Sequence, residues 1–138
     1  MVKPDLVMRK VGRAKAWLDD AEAILSRPVG EFLTDVKSRD LATFYLFLAI
    51  QECIDLAAHW VADAGWTVPD EAGSTFDLLA EQRALDHDLA AALRGAVGLR
   101  NRIAHGYASV NHARVHQEYR GGVEALRRFL LLVSAEAG

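Results

Sequence analysis

Proline occurs only at positions 4, 28 and 69, so most of this chain carries no residue that forbids helical hydrogen bonding. The intervening stretches are rich in Ala, Leu and Arg, which favour helix over strand. Apolar residues at Val7, Val11, Ala14, Leu18, Ala21 and Leu25 alternate spacings of four and three, one stripe of an amphipathic helix from near Asp5 to Pro28. Residues 29–38 read as a short connecting turn of helix. A long helix is expected from about Asp40 to Ala64, closed by Gly65 and the turn around Pro69. Ser74-Thr75-Phe76-Asp77 resembles a capping box that opens a short helix to about Gln82. Asp86 or Asp88 can cap the next helix, with Leu85, Leu89, Ala92, Ala96, Leu99 and Ile103 on one face. Asn111 can cap the last, whose stripe is Val115, Tyr119, Val123, Leu126, Leu130 and Val133. The expected fold is all-α: an up-and-down bundle of four main helices plus one or two short ones, a single domain over residues 1–138.

The long second helix is apolar on two sides. Phe47, Ile50, Ile54, Ala57 and Val61 form one stripe, and Leu41, Phe44, Tyr45, Leu48 and Leu56 form another on nearly the opposite side. Such a helix has neighbours on both sides, so it is either central in the bundle or part of a subunit interface. In a bundle of four helices the interface is the favoured expectation.

Net charge is −3, which argues against a protein that binds nucleic acid with its whole surface. From Arg94 to Arg128, however, seven arginines face only Glu118 and Glu124, a balance of +5 that leaves −8 for the remainder. Such a patch permits a polyanionic ligand and equally fits an ordinary solvated helix face. The lone Cys53 lies in a helical apolar run and reads as core. A charged N-terminal segment without a signal-type apolar region, and no run of about 18 uncharged apolar residues, point to a cytoplasmic protein with no membrane span.

Arg100 and His105 are the residues best suited to chemistry. Histidine can take a proton from a ribose 2′-hydroxyl near neutral pH, and arginine can hold two phosphate oxygens in its planar fork as charge develops. Five residues along an ideal helix leave the two side chains about 140° apart. Either the helix ends between them, for which Gly106 offers a stop near Ala104, or each works with groups from another helix or another subunit. On spacing alone, a basic helix end near its own dipole is the better explanation of the pair.

The string Arg100-Asn101-Arg102-Ile103-Ala104-His105-Gly106-Tyr107 resembles the R-x4-H-x-Y motif of HepT-like toxins, small helical ribonucleases of the HEPN superfamily. Phe32-Leu33-Thr34-Asp35, Gln51-Glu52-Cys53-Ile54-Asp55 with His59, and Phe76-Asp77-Leu78-Leu79 extend the likeness over nearly the whole chain. The resemblance implies an HEPN-like bundle and the toxin of a type VII-like toxin–antitoxin system: a metal-independent endoribonuclease that uses no cofactor. It implies a homodimer whose cleft joins the Arg and His of both subunits, with Arg100 and His105 catalytic and Asn101 orienting phosphate or histidine. It also implies that an MntA-like minimal nucleotidyltransferase antitoxin transfers AMP to Tyr107, setting phosphate charge and bulk where RNA must enter.

Other constellations compete. Glu52, Asp55 and His59, at i, i+3 and i+7, read as half of a carboxylate metal site, as a polar seam, or, with Arg102, as support for the cleft. His112 and His116 have the i, i+4 spacing of metal ligands but lack a third ligand, and read as exposed surface residues able to face RNA. Trp17, Trp60 and Trp66 fit packing better than base stacking. The alternatives to a ribonuclease are a non-catalytic module that binds a nucleotide, RNA or a nucleotidyltransferase, and, less favoured, a metal-dependent hydrolase built on Glu52, His59 and the C-terminal histidines.

Overall fold

A computed structural model describes residues 3–138, which form six α-helices, one 3-10 turn and no strand. Helix α1 spans Pro4–Leu25, with Pro4 in its first turn where a missing amide hydrogen costs nothing. Its predicted stripe is buried along its full length. Helix α2 (Val29–Thr34) follows Pro28, and its Phe32 is buried. Helix α3 (Val36–Asp63) begins four residues before Asp40, because Asp35 caps it by accepting from the Ser38 amide at 3.3 Å. It stops beside Gly65, whose φ of +83° is the left-handed conformation that glycine adopts freely.

Helix α4 (Ala72–Glu81) does not start at the predicted capping box. It starts at Glu71, whose side chain makes no cap, and the Thr75 hydroxyl instead donates back to the Glu71 carbonyl at 3.4 Å inside the helix. Burial of Thr75, Phe76 and Leu79 fixes this helix, not its capping chemistry. Helix α5 (His87–His105) is capped by Asp86, which accepts from the Leu89 amide at 2.6 Å. Helix α6 (His112–Ala137) is capped by Asn111, which accepts from the Arg114 amide at 3.1 Å.

Helix α3 packs against all five other α-helices. The centre is built on Phe129, against which Phe76 stands edge-on at 5.3 Å and Trp60 tilts at 6.2 Å. Cys53 is fully buried beside them in the core cluster, and burial pushes its thiol far above the usual range, so it is packing material. By length and composition α3 could cross a membrane, but half of its apolar window is buried inside the bundle.

Two helices show faces that periodicity assigned differently. In α5 the buried residues are Leu89, Ala90, Leu93 and Val97; of the predicted stripe, Ala92 is exposed and Ala96, Leu99 and Ile103 are half-buried. Ala92, Ala96 and Leu99 line an open groove of about 600 Å³ between α5 and α6, so α5 has a core face and a groove face and most of the pattern picked out the second. In α3 the core arc runs through Ala42, Leu46, Ala49, Cys53, Leu56 and Trp60. Leu41 and Phe44 from the second stripe remain 44% and 51% exposed, with Phe47, Leu48 and Ile54 only half-buried next to them. A long, open apolar face on the central helix is the feature that the two-sided pattern announced.

Candidate active site

Helix α5 runs without a break through Arg100, Asn101 and Arg102 to His105. The alternative in which the helix ends between Arg100 and His105 is therefore removed, and the two side chains keep the divergence of about 140° that a continuous helix imposes. One chain does not bring them together.

Arg100 turns toward α3, where its Nη1 donates to Gln51 Oε1 at 3.3 Å. Gln51 in turn donates through Nε2 to Asp55 Oδ1 at 3.4 Å, so Asp55 reaches Arg100 through one intermediary. The Arg100 Nε is buried and has no hydrogen-bond partner. A desolvated guanidinium donor without an acceptor is costly, and it satisfies itself when an anionic oxygen arrives. Arg100 and Asn101 together border a cleft against the first turn of α4, closed on its far side by Arg94 and Asp77. Asn101 and His105 are exposed and no hydrogen bond holds either side chain, which leaves both available to a ligand or a second subunit.

The cationic patch is smaller than the arginine count suggests. Arg94 pairs with Asp77, Arg114 with Glu118, Arg127 with Asp19 and Glu22, and Arg128 with Asp86. Arg120 lies over the ring of its neighbour Tyr119 at 5.8 Å. Arg100 and Arg102 are left without a carboxylate partner, and Arg102 stands at the edge of the α5–α6 groove.

Tyr107 sits in the 3-10 turn Tyr107–Ser109, which is pinned by the Ser109 amide and hydroxyl, both donating to the Gly106 carbonyl. Its hydroxyl donates to Asp40 Oδ1 at 2.5 Å. Arg39 pairs with the same carboxylate oxygen at 3.1 Å. The Tyr107 hydrogen bond and Arg39 hold the Asp40 carboxyl below its usual range. Burial, and then the bond to Asp40, push the Tyr107 phenol up to about 12. His112 tilts against the Tyr107 ring at 5.4 Å and its Nδ1 lies 3.3 Å from the Thr43 hydroxyl. Burial and Arg39 lower its proton affinity.

The remaining sequence candidates fall elsewhere. Glu52 is buried and committed to α1, accepting from Lys10 at 2.9 Å and from Arg13 at 3.3 Å, which makes it a polar seam between two helices. His59 is exposed and makes no hydrogen bond. His112 and His116 are not the exposed pair that their position suggested: both are half-buried, and His116 Nε2 lies 2.7 Å from the Arg27 carbonyl with its ring against Phe32. Packing of the α6 start against α2 and α3 covers them. Among the described residues no group of three or more His, Cys, Asp or Glu converges.

A family model described as ribonuclease HepT-like matches residues 16–133. The chain belongs to the HepT-like family. A curated relative, the mRNA nuclease HepT of Shewanella oneidensis, is 24% identical over 132 residues, covering 96% of this chain and 98% of the relative. Among solved structures, a tri-AMPylated Shewanella oneidensis HEPN toxin in complex with its MNT antitoxin superimposes with a TM-score of 0.82 at 24% identity, covering 95% of this chain and 98% of that one. A toxin–antitoxin complex with AMP-PNP gives 0.81 at the same identity and coverage. The HepT-like fold is thus shared over almost the full length, including both the Arg100–His105 helix and the turn that carries Tyr107.

Three residues that the structure brings to Arg100 and Tyr107 were not singled out as site candidates from the sequence. Asp40 was legible only as a helix start, and nothing in the sequence links it to a tyrosine 67 positions away. Arg39 had no signal. Gln51 had one: a polar residue four before Asp55 inside an otherwise apolar run.

Proposed function

We propose that this chain is the toxin of a type VII-like toxin–antitoxin system: a homodimeric, metal-independent endoribonuclease of the cytoplasm, silenced when an MntA-like nucleotidyltransferase places AMP on Tyr107. The observation that carries the reading is Arg100, anchored by Gln51 with its Nε buried and unpaired, while His105 stands exposed about 140° away on the same helix. A pair that diverges within one chain and whose members are both unspent is what a site shared between two subunits requires. The open apolar face of α3, carrying Leu41, Phe44 and Leu48, lies on the helix that holds Gln51 and offers the surface for that second copy.

In such a cleft His105 takes the proton from a ribose 2′-hydroxyl, the freed oxygen attacks the adjacent phosphorus, and the bond to the 5′-oxygen breaks as that oxygen takes a proton from water. The products are a 2′,3′-cyclic phosphate and a 5′-hydroxyl. Arg100 holds the phosphate oxygens as charge builds, and Asn101 orients the phosphate from the neighbouring position. Arg102 widens the cationic strip toward the α5–α6 groove. AMP on Tyr107 adds negative charge two residues from His105 and opposes the approach of RNA. The mRNA nuclease activity named for the Shewanella oneidensis relative, and the AMPylated state named for the related toxin structure, support both parts.

The test is cleavage of RNA by the purified protein in EDTA, with product ends identified. Arg100→Ala and His105→Ala should each abolish cutting while the oligomer persists. Cleavage that survives in both variants overturns the assignment, and tight binding of RNA without turnover would favour the non-catalytic module instead.

A further inference from the structure

The Tyr107 cluster has a direction that the RNA-cleaving chemistry does not use. Five side chains from three elements converge there: Arg39, Asp40 and Thr43 of α3, Tyr107 of the 3-10 turn, and, closing the ring, His112 of α6. The phenol points its single proton at Asp40 Oδ1 across 2.5 Å. Asp40 is 42% exposed at its side chain and Tyr107 is half-buried, so the acceptor of the phenolic proton sits at the surface.

Resting on the reading above that Tyr107 is the modified residue, we infer that Asp40 is the general base for nucleotidyl transfer to Tyr107, supplied by the toxin and not by its partner. The Tyr107 oxygen attacks the α-phosphorus of a nucleoside triphosphate. The new bond joins tyrosine oxygen to phosphorus, the bond from that phosphorus to the bridging oxygen breaks, pyrophosphate leaves, and the phenolic proton passes to Asp40 Oδ1. Nothing is oxidised or reduced.

Three observations favour Asp40 over its neighbours. Phenol and carboxylate are already in hydrogen-bond contact, the geometry that a base must have. His112 Nδ1 is directed at the Thr43 hydroxyl, and its ring tilts against the Tyr107 ring without a hydrogen bond to the phenol. Arg39 binds the same oxygen of Asp40, keeping the carboxyl ionised and therefore able to accept. The surroundings also hold Tyr107 fully protonated at neutral pH, so the attack depends on a base that acts during the step and not on phenolate formed beforehand.

The experiment follows AMP addition by intact mass, using this protein, an MntA-like minimal nucleotidyltransferase, ATP and magnesium, between pH 6 and 9. Asp40→Asn should slow transfer about 100-fold or more at pH 7, the range for loss of a general base. The deficit relative to the unmutated protein should shrink about tenfold per pH unit, as solvent hydroxide replaces the carboxylate. Asp40→Glu should retain a flat pH profile, and formate should restore transfer to Asp40→Ala in proportion to its concentration. Should Asp40→Asn fail to fold by circular dichroism, the glutamate variant and formate rescue decide the matter. Equal rates in Asp40→Asn, or a deficit identical at every pH with no formate rescue, overturn the inference while leaving Tyr107 as the modified residue. Absence of AMP on Tyr107 in the unmutated protein overturns the regulatory reading itself, and the role of Asp40 falls with it.

Discussion

Gln51 Oε1 accepts from Arg100 Nη1 at 3.3 Å, and this contact joins the central helix to the helix that carries the R-x4-H motif. Gln51 is itself steadied by Asp55, so a guanidinium with four rotatable bonds to its backbone is directed by a side chain 49 positions earlier in sequence. Gln51→Ala should therefore leave Arg100 mobile. RNA cleavage should fall about tenfold in kcat, the scale at which a misplaced catalytic group is felt, with little change in thermal midpoint because Gln51 is half-buried and lies outside the core. Asp55→Asn, one step removed, should cost less. Single-turnover cleavage of a short RNA separates these effects from binding.

Glu52 is the neighbour of Gln51, yet it belongs to a different structure. It is 7% exposed and paired with Lys10 and Arg13, so it ties α3 to α1. Glu52→Gln should lower unfolding free energy by about 1–2 kcal/mol, below the full cost of orphaning a buried charge because Lys10 and Arg13 retain access to water. Cleavage per folded molecule should be unchanged. Chemical denaturation beside an activity assay tests both halves, and a selective loss of activity would return Glu52 to the cleft.

Much of this fold was legible because helix periodicity, Asp86, Asn111 and Gly65 are local signals whose physics involves one or two turns of chain. The stripe of α1 was read correctly because that helix has one dry side, whereas in α6 the stripe is buried from Val123 to Val133 and lines the groove at Val115 and Tyr119. Helix α5 misled because it has two, one against the core and one against the groove, and periodicity cannot rank them. Ser74-Thr75-Phe76-Asp77 misled because a capping motif is worth about 1 kcal/mol, less than burying Phe76 one turn into the helix. At the candidate site, the motif singles out Arg100, His105 and Tyr107 from the sequence, whereas Asp40 and Gln51 became functional candidates only when tertiary contacts appeared.

The open face of α3 makes an independent claim. Phe44 is 51% exposed on the open face of α3, and a charge placed there is harmless to a monomer but intolerable in a dry interface. Phe44→Glu should leave the thermal midpoint of the isolated subunit nearly unchanged. It should convert the particle to a 15.2 kDa species in sedimentation or light scattering, and abolish cleavage with Arg100 and His105 intact. A dimer that persists in Phe44→Glu would place the subunit contact elsewhere.

Tyr107 supplies a prediction that depends on neither RNA nor a partner. Burial and the bond to Asp40 raise its ionisation to about 12 from an ordinary value of 10.0, so the folded state holds the phenolic proton more tightly than the unfolded state. The sign follows from linkage: the stabilisation is fully present below pH 10 and is lost as pH rises through about 12. Tyr107→Phe removes both the proton and the hydrogen bond. It should lower stability by about 1–2 kcal/mol at pH 8, the worth of a hydrogen bond to a charged acceptor. The gap between the two proteins should close in alkali. Spectrophotometric titration near 295 nm reads the same event directly: one of the three tyrosines should ionise about two pH units late, and that step should vanish in Tyr107→Phe and move toward 10 in Asp40→Asn. A late tyrosine that survives Tyr107→Phe would show that the Asp40 contact does not govern the phenol.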